Sequence, residues 1–339
     1  MKPFLTISEQ ITLIDSRGME ILSNPKAYEF LLRKNYFNTV TVYGKLFSES
    51  NDKDRYIVGS NFNEIMQAYY FDKDIREITL KMSLEVEANV RSTIAYYFSE
   101  KFPEPNSYLD INNYRKNFVN EYDKDRFLNT FVYFQRELDK FFKRGYKPGR
   151  KLGTPIEHYM NKYQHIPLWV FINEFSAGDL CTFFELLDYQ LQEDIAKCFS
   201  NYLSSDYGQP IIFKRYELLN FLESIRDLRN RAAHDNCLVY FKPKESVKYH
   251  VFLHPQHGLS KRDTRQSYFH TMITMQMFLN KSNFLYFQKA IAKKIRNISK
   301  SVPSIDVNSL TDTLGFPYDW HLQEHLLNKP PKKRESNSK

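Results

Sequence analysis

"SNFNEIMQAYYFDKDIREITLKMSLEVEANVRSTIAYYFSEKF", residues 60–102, is the stretch that decides the fold. Its apolar positions Ile65, Tyr69, Ile75, Ile78, Leu84, Val90, Ile94 and Tyr97 recur at steps of three and four residues. That is the period of a helix with one face turned to a core, and the length suggests two helices in succession. "PEPNSYLD" (103–110) breaks the pattern and marks the first boundary.

Outward from this stretch the same period continues. "ISEQITLIDSRG" reads as a helix from Ser8 that stops near Gly18, and "NPKAYEFLLRKNYF" as a second beginning around Pro25. Residues 113–142 read as helix, followed by the basic loop "KRGYKPGRKLGTP" (143–155). The apolar run "IPLWVFINEFSAGDLCTFFELL" (166–187), a helix over 215–234 and a last helix over about 268–300 follow. "CLVYF" (237–241) and "KYHVFL" (248–253) are the strand candidates and suggest one small hairpin. The expected class is therefore all-α, a multi-helix bundle with at most that hairpin.

Composition agrees. With 28 Phe and 24 Tyr among 339 residues, the bulk of the chain is not disordered. Only 10 Gly and 14 Pro disfavour a sandwich of many tight turns. No apolar run approaches the roughly 20 residues of a membrane span. The opening "MKPFLTISEQ" lacks the apolar stretch of a signal peptide, and Cys181, Cys198 and Cys237 form no disulfide framework. A reducing cytoplasm and no membrane are the expectation. The net charge of +8 concentrates in residues 113–160 and 236–339, which suits a polyanion partner, nucleic acid before membrane.

The helix over 215–234 carries the chemistry. Leu218, Phe221, Ile225, Leu228 and Ala232 fall within a sector of roughly 80° and face the core. Glu223, Asp227, Asn230 and His234 stack in one line nearly opposite, so His234 is not a core histidine. A solvated polar face is the bland alternative. Arg229 and His234 lie about 140° apart on the wheel. One regular helix cannot aim both at a single atom unless it bends or a second copy supplies the other half.

"RNRAAH" (229–234) resembles the R-N-x-x-x-H signature of HEPN ribonucleases. In order along the chain, "KPFLTISEQITLIDSRGM" (2–19), "IMQAYYFDKDIREI" (65–78), "IPLWVFINEFSAGDL" (166–180), "LRNRAAHDN" (228–236) and "LGFPYDW" (314–320) resemble blocks of the bacterial Abi-like (abortive infection, AbiD/AbiF-type) proteins. The resemblance implies a HEPN core, phage defence by damaging RNA, and kinship with RNA-guided RNA-cutting CRISPR effectors. It also implies a homodimer in which two such helices meet in one composite site. Some members are held in check by a small noncoding RNA, in the manner of a toxin and its antitoxin.

The residue types fit metal-independent RNA cleavage through the ribose 2′-OH, which calls for no cofactor. An imidazole, with an ordinary pKa of about 6.5, suits His234 to proton transfer at neutral pH. Arg229 stays cationic and can fork onto phosphate oxygens. Asn230 is expected to orient the histidine or a phosphate, and Glu223 or Asp227 to hold its tautomer. The 2′-OH requirement would make DNA a non-substrate. "HDN" departs from the family pattern, and Asp235 is expected to weaken phosphate binding there.

Other constellations rank lower. Glu87 and Arg91, followed by Tyr96 and Tyr97, have the outline of a degenerate second site and read more simply as a helix ion pair. "HLQEH" (321–325) has the outline of an inverted zinc-protease motif, but too little chain follows for its further ligand. His250, His254 and His257 lack helical spacing for zinc. In the last helix, Lys289, Lys293, Arg296 and Lys300 line one face, the expected track for an RNA backbone, with Lys143, Arg144, Lys147 and Arg150 of the basic loop joining it and Tyr146 available for stacking. The expected organisation is an N-terminal helical lobe (1–110), a connecting helix and basic loop (111–155), a HEPN-like region (156–302) and a C-terminal segment with a polar tail (303–339). The competing readings are a catalytically idle protein that grips a noncoding RNA, and a DNA-binding regulator, for which no helix-turn-helix signature is present.

Overall fold

The computed structural model describes residues 4–145 and 155–327. Tyr146, Lys147, Arg150 and the tail from residue 328 lie outside them. The described residues form fourteen α-helices and no β-ladder beyond two isolated bridges. The first three helices, α1 (Ile7–Ser16), α2 (Asn24–Lys34) and α3 (Tyr36–Tyr43), precede a long helix, α4 (Phe62–Lys101). Then come α5 (Glu121–Gly145), α6 (Pro155–Tyr163), α7 (Leu168–Phe171), α8 (Ala177–Leu186), α9 (Tyr189–Tyr207) and α10 (Arg215–Ala233). The C-terminal part holds α11 (Tyr268–Thr274), α12 (Lys281–Ile298), α13 (Val307–Asp312) and α14 (Glu324–Leu327).

Residues 60–102 are one helix of 40 residues, not two. At 1.5 Å per residue it runs about 60 Å. Glu64 starts it by accepting the Asn61 N–H (3.3 Å), and no proline or glycine interrupts it. It packs against α3, α7, α8, α9, α10 and α12. Buried positions therefore occur nearly all round it, from Ile65 and Ile75 through Val86 and Val90 to Phe98. Leu84, expected in the core, is exposed instead. Two ties cross the fold from its N-terminal half. The buried Glu64 carboxylate accepts from the backbone N–H and hydroxyl of Ser304 (3.1 and 2.7 Å), and the Thr79 and Tyr268 hydroxyls meet at 2.9 Å.

Other boundaries differ from expectation for local reasons. Helix α5 begins at Glu121 rather than 113, because Arg115 turns back to bind Asp123 (3.1 Å) and donates its backbone N–H to the Leu186 carbonyl (3.1 Å). The last helix splits into α11 and α12 at the 3-10 turn Met275–Met277, after which Asn280 caps α12 at Asn283 (2.8 Å).

The expected hairpin is absent. Leu238 and Val239 donate their N–H groups to the Asp72 carboxylate (2.8 and 3.1 Å), and Tyr240 takes a positive φ of 62°. Lys248 donates to the Asn220 side chain (2.7 Å) and Val247 to the Arg265 carbonyl (2.9 Å). Helix side chains thus supply hydrogen bonds that a partner strand would have made. No described helix is long and apolar enough to cross a membrane.

Candidate functional site

Helix α10 starts with the Glu217 carboxylate accepting the Lys214 N–H (3.0 Å) and ends with His234 as its C-cap. The five predicted core residues are buried, and Leu222 and Ser224 join them. The polar line opposite is only partly solvated, because the 244–248 segment lies across it. Asn220 donates to the Ser246 carbonyl (3.2 Å), and Asp227 accepts the Lys244 N–H (3.2 Å). Asp227 also binds the Arg226 guanidinium (3.0 Å). Burial pushes the Glu223 carboxyl above its ordinary range, with Glu185 and Glu245 adding to the shift and Arg226 opposing it. Neither Glu223 nor Asp227 is hydrogen-bonded to His234 within the chain, although one or the other was expected to hold its tautomer.

Arg229 leaves the edge of the core stripe and meets α4. Its Nε donates to Glu87 Oε1 at 3.0 Å, and its Nη1 donates to Asn230 Oδ1 at 3.3 Å. Glu87 is 2 % exposed. Its second oxygen accepts from Arg91 Nη2 (3.1 Å), which also donates to the Phe175 carbonyl (2.9 Å). The Glu87–Arg91 helix pair expected from spacing is present, and it is also the anchor of Arg229. The buried Glu87 carboxylate thus lies between two guanidinium groups, the pairing that offsets the cost of burying charge. The Arg229 side chain keeps 27 % of its surface exposed, and Nη2 is its one guanidinium nitrogen without a partner among the described residues.

One and a half turns on, the chain is fixed a second time. His234 is exposed, and its backbone N–H closes the helix on the Asn230 carbonyl (3.1 Å). Asp235 turns left-handed (φ 56°) and pairs with Arg76, which also binds the fully buried Asp72 (3.0 Å). Asp72 in turn holds the N–H groups of Leu238 and Val239. Burial raises its carboxyl to about 6 against the opposing pull of Arg76 and those two donors. Asp235, expected to weaken phosphate binding, is paired with the Arg76 guanidinium. Arg231 completes the turn by donating to the Cys237 carbonyl (2.6 Å). Arg229 and His234 are both presented at this helix end, yet they share no hydrogen bond within one chain.

A family model described as Abi-like protein matches residues 29–240. The chain belongs to the Abi-like family. No curated protein and no solved structure matches it. The Abi-like match covers α4, α8, α9 and α10 and ends just past the Asp72 clamp, so both anchors of the R-N-x-x-x-H segment fall within it.

The C-terminal part of the expected RNA track, Lys289 to Lys300, lies beyond the Abi-like match, whereas its basic-loop part falls within it. Lys293 is exposed on α12, Lys300 is exposed in the turn just past its end, and Lys289 is half-buried. Arg296 is drawn inward to the His321 carbonyl (2.7 Å). Lys143 and Arg144 fall in the last turns of α5. Of the histidines, His250 donates from Nε2 to the Ile212 carbonyl (2.9 Å), and its backbone N–H donates to His254 Nδ1 (2.9 Å). These hold the loop packing. Among the described residues no group of three or more His, Cys, Asp or Glu is placed to hold a metal ion.

Proposed function

We propose that this protein is a metal-independent endoribonuclease of an abortive-infection, phage-defence system, and that it acts as a homodimer. The observation that carries the reading is the placement of "RNRAAH" at an exposed helix end, with Arg229 anchored by the buried Glu87 and His234 open to solvent. Family membership supports it.

The two side chains share no hydrogen bond in one protomer, which suits two helix ends meeting across a two-fold axis. In that arrangement one His234 accepts the proton of a ribose 2′-OH as the 2′-oxygen attacks the adjacent phosphorus. The bond from phosphorus to the 5′-oxygen breaks, and the second His234 donates a proton to that leaving oxygen. The products are a 2′,3′-cyclic phosphate and a 5′-hydroxyl. Arg229, oriented through its Nε, offers Nη2 to the phosphorane oxygens, and Asn230 stands beside it. A small noncoding RNA is the expected restraint on such an activity.

The test is cleavage of a labelled RNA pool in excess EDTA by wild type, His234→Ala and Arg229→Ala. Cleavage by wild type alone, leaving cyclic phosphate ends, is the expected result. Equal cleavage by His234→Ala overturns the assignment. The absence of an Arg229–His234 hydrogen bond within the chain favours one second reading, an idle RNA-gripping protein. It predicts RNA affinity without cleavage in all three proteins.

A further inference from the structure

A cleft of 570 Å³ lies between the C-terminal half of α4 and the segment 169–173. Its walls carry two large exposed rings, Trp169 (55 % exposed) and Tyr96. Tyr96 is held in place, since its hydroxyl donates to Glu100 Oε1 at 2.8 Å. The remaining lining is mixed: Ala88, Ala95 and Ile172 are apolar, and Ser92, Ser99, Asn173, Arg91 and Glu100 are polar or charged. The Asn173 amide nitrogen is spent on the carbonyls of Trp169 and Val170 (3.2 Å each), which leaves its Oδ1 as an acceptor. The Arg91 Nε is a buried donor without a partner among the described residues.

We propose that this cleft is a stacking site for nucleobases of single-stranded RNA, lying beside the catalytic helix end. The inference rests on the RNA reading above, though not on cleavage. Two exposed rings over a small floor of mixed polarity suit flat ligands that have a π-face and hydrogen-bonding edges. A stable protein interface would need a continuous apolar patch instead. The volume is that of a small-ligand site. The charged lining is one arginine and one carboxylate, Arg91 and Glu100, so recognition rests on stacking and hydrogen-bonding edges, with the Arg91 plane available to stack on a base.

The cleft is also coupled to the candidate site. Arg91 lines it and shares Glu87 with Arg229. From Glu87 to Ala95, at the middle of the cleft wall, is about 12 Å along α4. A strand whose scissile phosphate sits at Arg229 would therefore place bases a few nucleotides away in the cleft. A base paired in a duplex has no free face to offer Trp169, so the site selects unpaired RNA.

The chain has two tryptophans, and Trp320 is 1 % exposed, so the solvent-sensitive emission belongs to Trp169. The experiment titrates His234→Ala protein with a labelled, unstructured RNA octamer and reads anisotropy and tryptophan emission together. Expected are saturable quenching that tracks binding, no quenching in a Trp169→Phe variant, and affinity about 5- to 150-fold weaker in Trp169→Ala. Trp169 is exposed, so its replacement leaves the core intact, and the buried Trp320 reports folding of these variants by its emission. Binding with unchanged Trp169 emission overturns the cleft and leaves the RNA reading standing. No binding at all overturns both. Equal quenching by duplex RNA overturns the selection for single strands. A blue shift that depends on protein concentration without RNA assigns the cleft to a second copy of the chain instead.

Discussion

Replacing Glu87 with Gln puts the anchoring of Arg229 to the test. The carboxylate is 2 % exposed and bridges two guanidinium groups, with N···O distances of 3.0 and 3.1 Å. Removing one member of a fully buried pair costs about 3–5 kcal/mol. Here the arginine side chains keep 27 % and 21 % of their surface, so water recovers part of that loss. The expected destabilisation is about 2–3 kcal/mol. A chain of this size unfolds with an entropy of about 0.7 kcal/mol/K, so Tm should fall by about 3–4 °C. The decisive assay is a double-mutant cycle with Arg229→Gln, followed by chemical denaturation. Because the first substitution removes the partner of the second, the two effects should fall short of additivity by about 1 kcal/mol or more. Effects that add within about 0.5 kcal/mol would refute the claim that Glu87 positions Arg229.

Acid should destabilise the fold well before most carboxylates protonate. Burial lowers His254 and His270 to about 4, below the ordinary 6.5, so the unfolded chain binds more protons between those values. Stability is then lost as pH falls from about 6.5 towards 4, by about 2 kcal/mol per histidine at pH 5. Asp72, raised to about 6, works the other way and offsets about 1.4 kcal/mol at that pH. Denaturation midpoints that stay flat from pH 7.5 to 5 would contradict this. Gly315 has a φ of 79°, and an added Cβ would meet Ser267 Oγ at 2.0 Å, where Ser267 caps α11 and binds His270 (2.6 Å). Gly315→Ala should cost about 2–4 kcal/mol, and a melt like wild type would rule out the close approach. If α12 tracks an RNA backbone, Lys293→Glu with Lys300→Glu should reduce the salt slope of RNA binding by about two. An unchanged slope removes α12 from the interface. Arg296 is a poor probe because it holds the His321 carbonyl.

Helical periodicity carried the class and placed α10 to within a residue, because its core stripe is narrow and its ends are marked by polar residues. It misjudged α4 for the opposite reason. A helix wrapped on nearly all sides has no single stripe, so its interruptions in hydrophobic spacing look like a break. The strand candidates failed because β-branched and aromatic residues were read without knowing that Asp72 and Asn220 would satisfy their backbones. Residues 189–207 received no assignment, although Asp188 caps them and Gly208 (φ 66°) ends them. At the candidate site, Glu87 was visible only as a partner for Arg91. The signal that it reached further lay in Arg229 itself, which sits about 60° from the centre of the core stripe and needs a buried anion there.

The unbroken course of α4 sets a phase for the candidate site. Arg76 secures Asp235 and Glu87 secures Arg229, and the two anchors stand eleven residues apart on the same helix. Eleven residues make about three whole turns, so both side chains emerge from one side of α4 and grip one helix end. A single residue inserted between them would rotate one grip by about 100° and advance it about 1.5 Å, releasing either the arginine or the turn that carries the histidine. The long helix is thus a ruler that fixes the spacing of the two grips, and its length between residues 76 and 87 is the dimension this chain is least free to change.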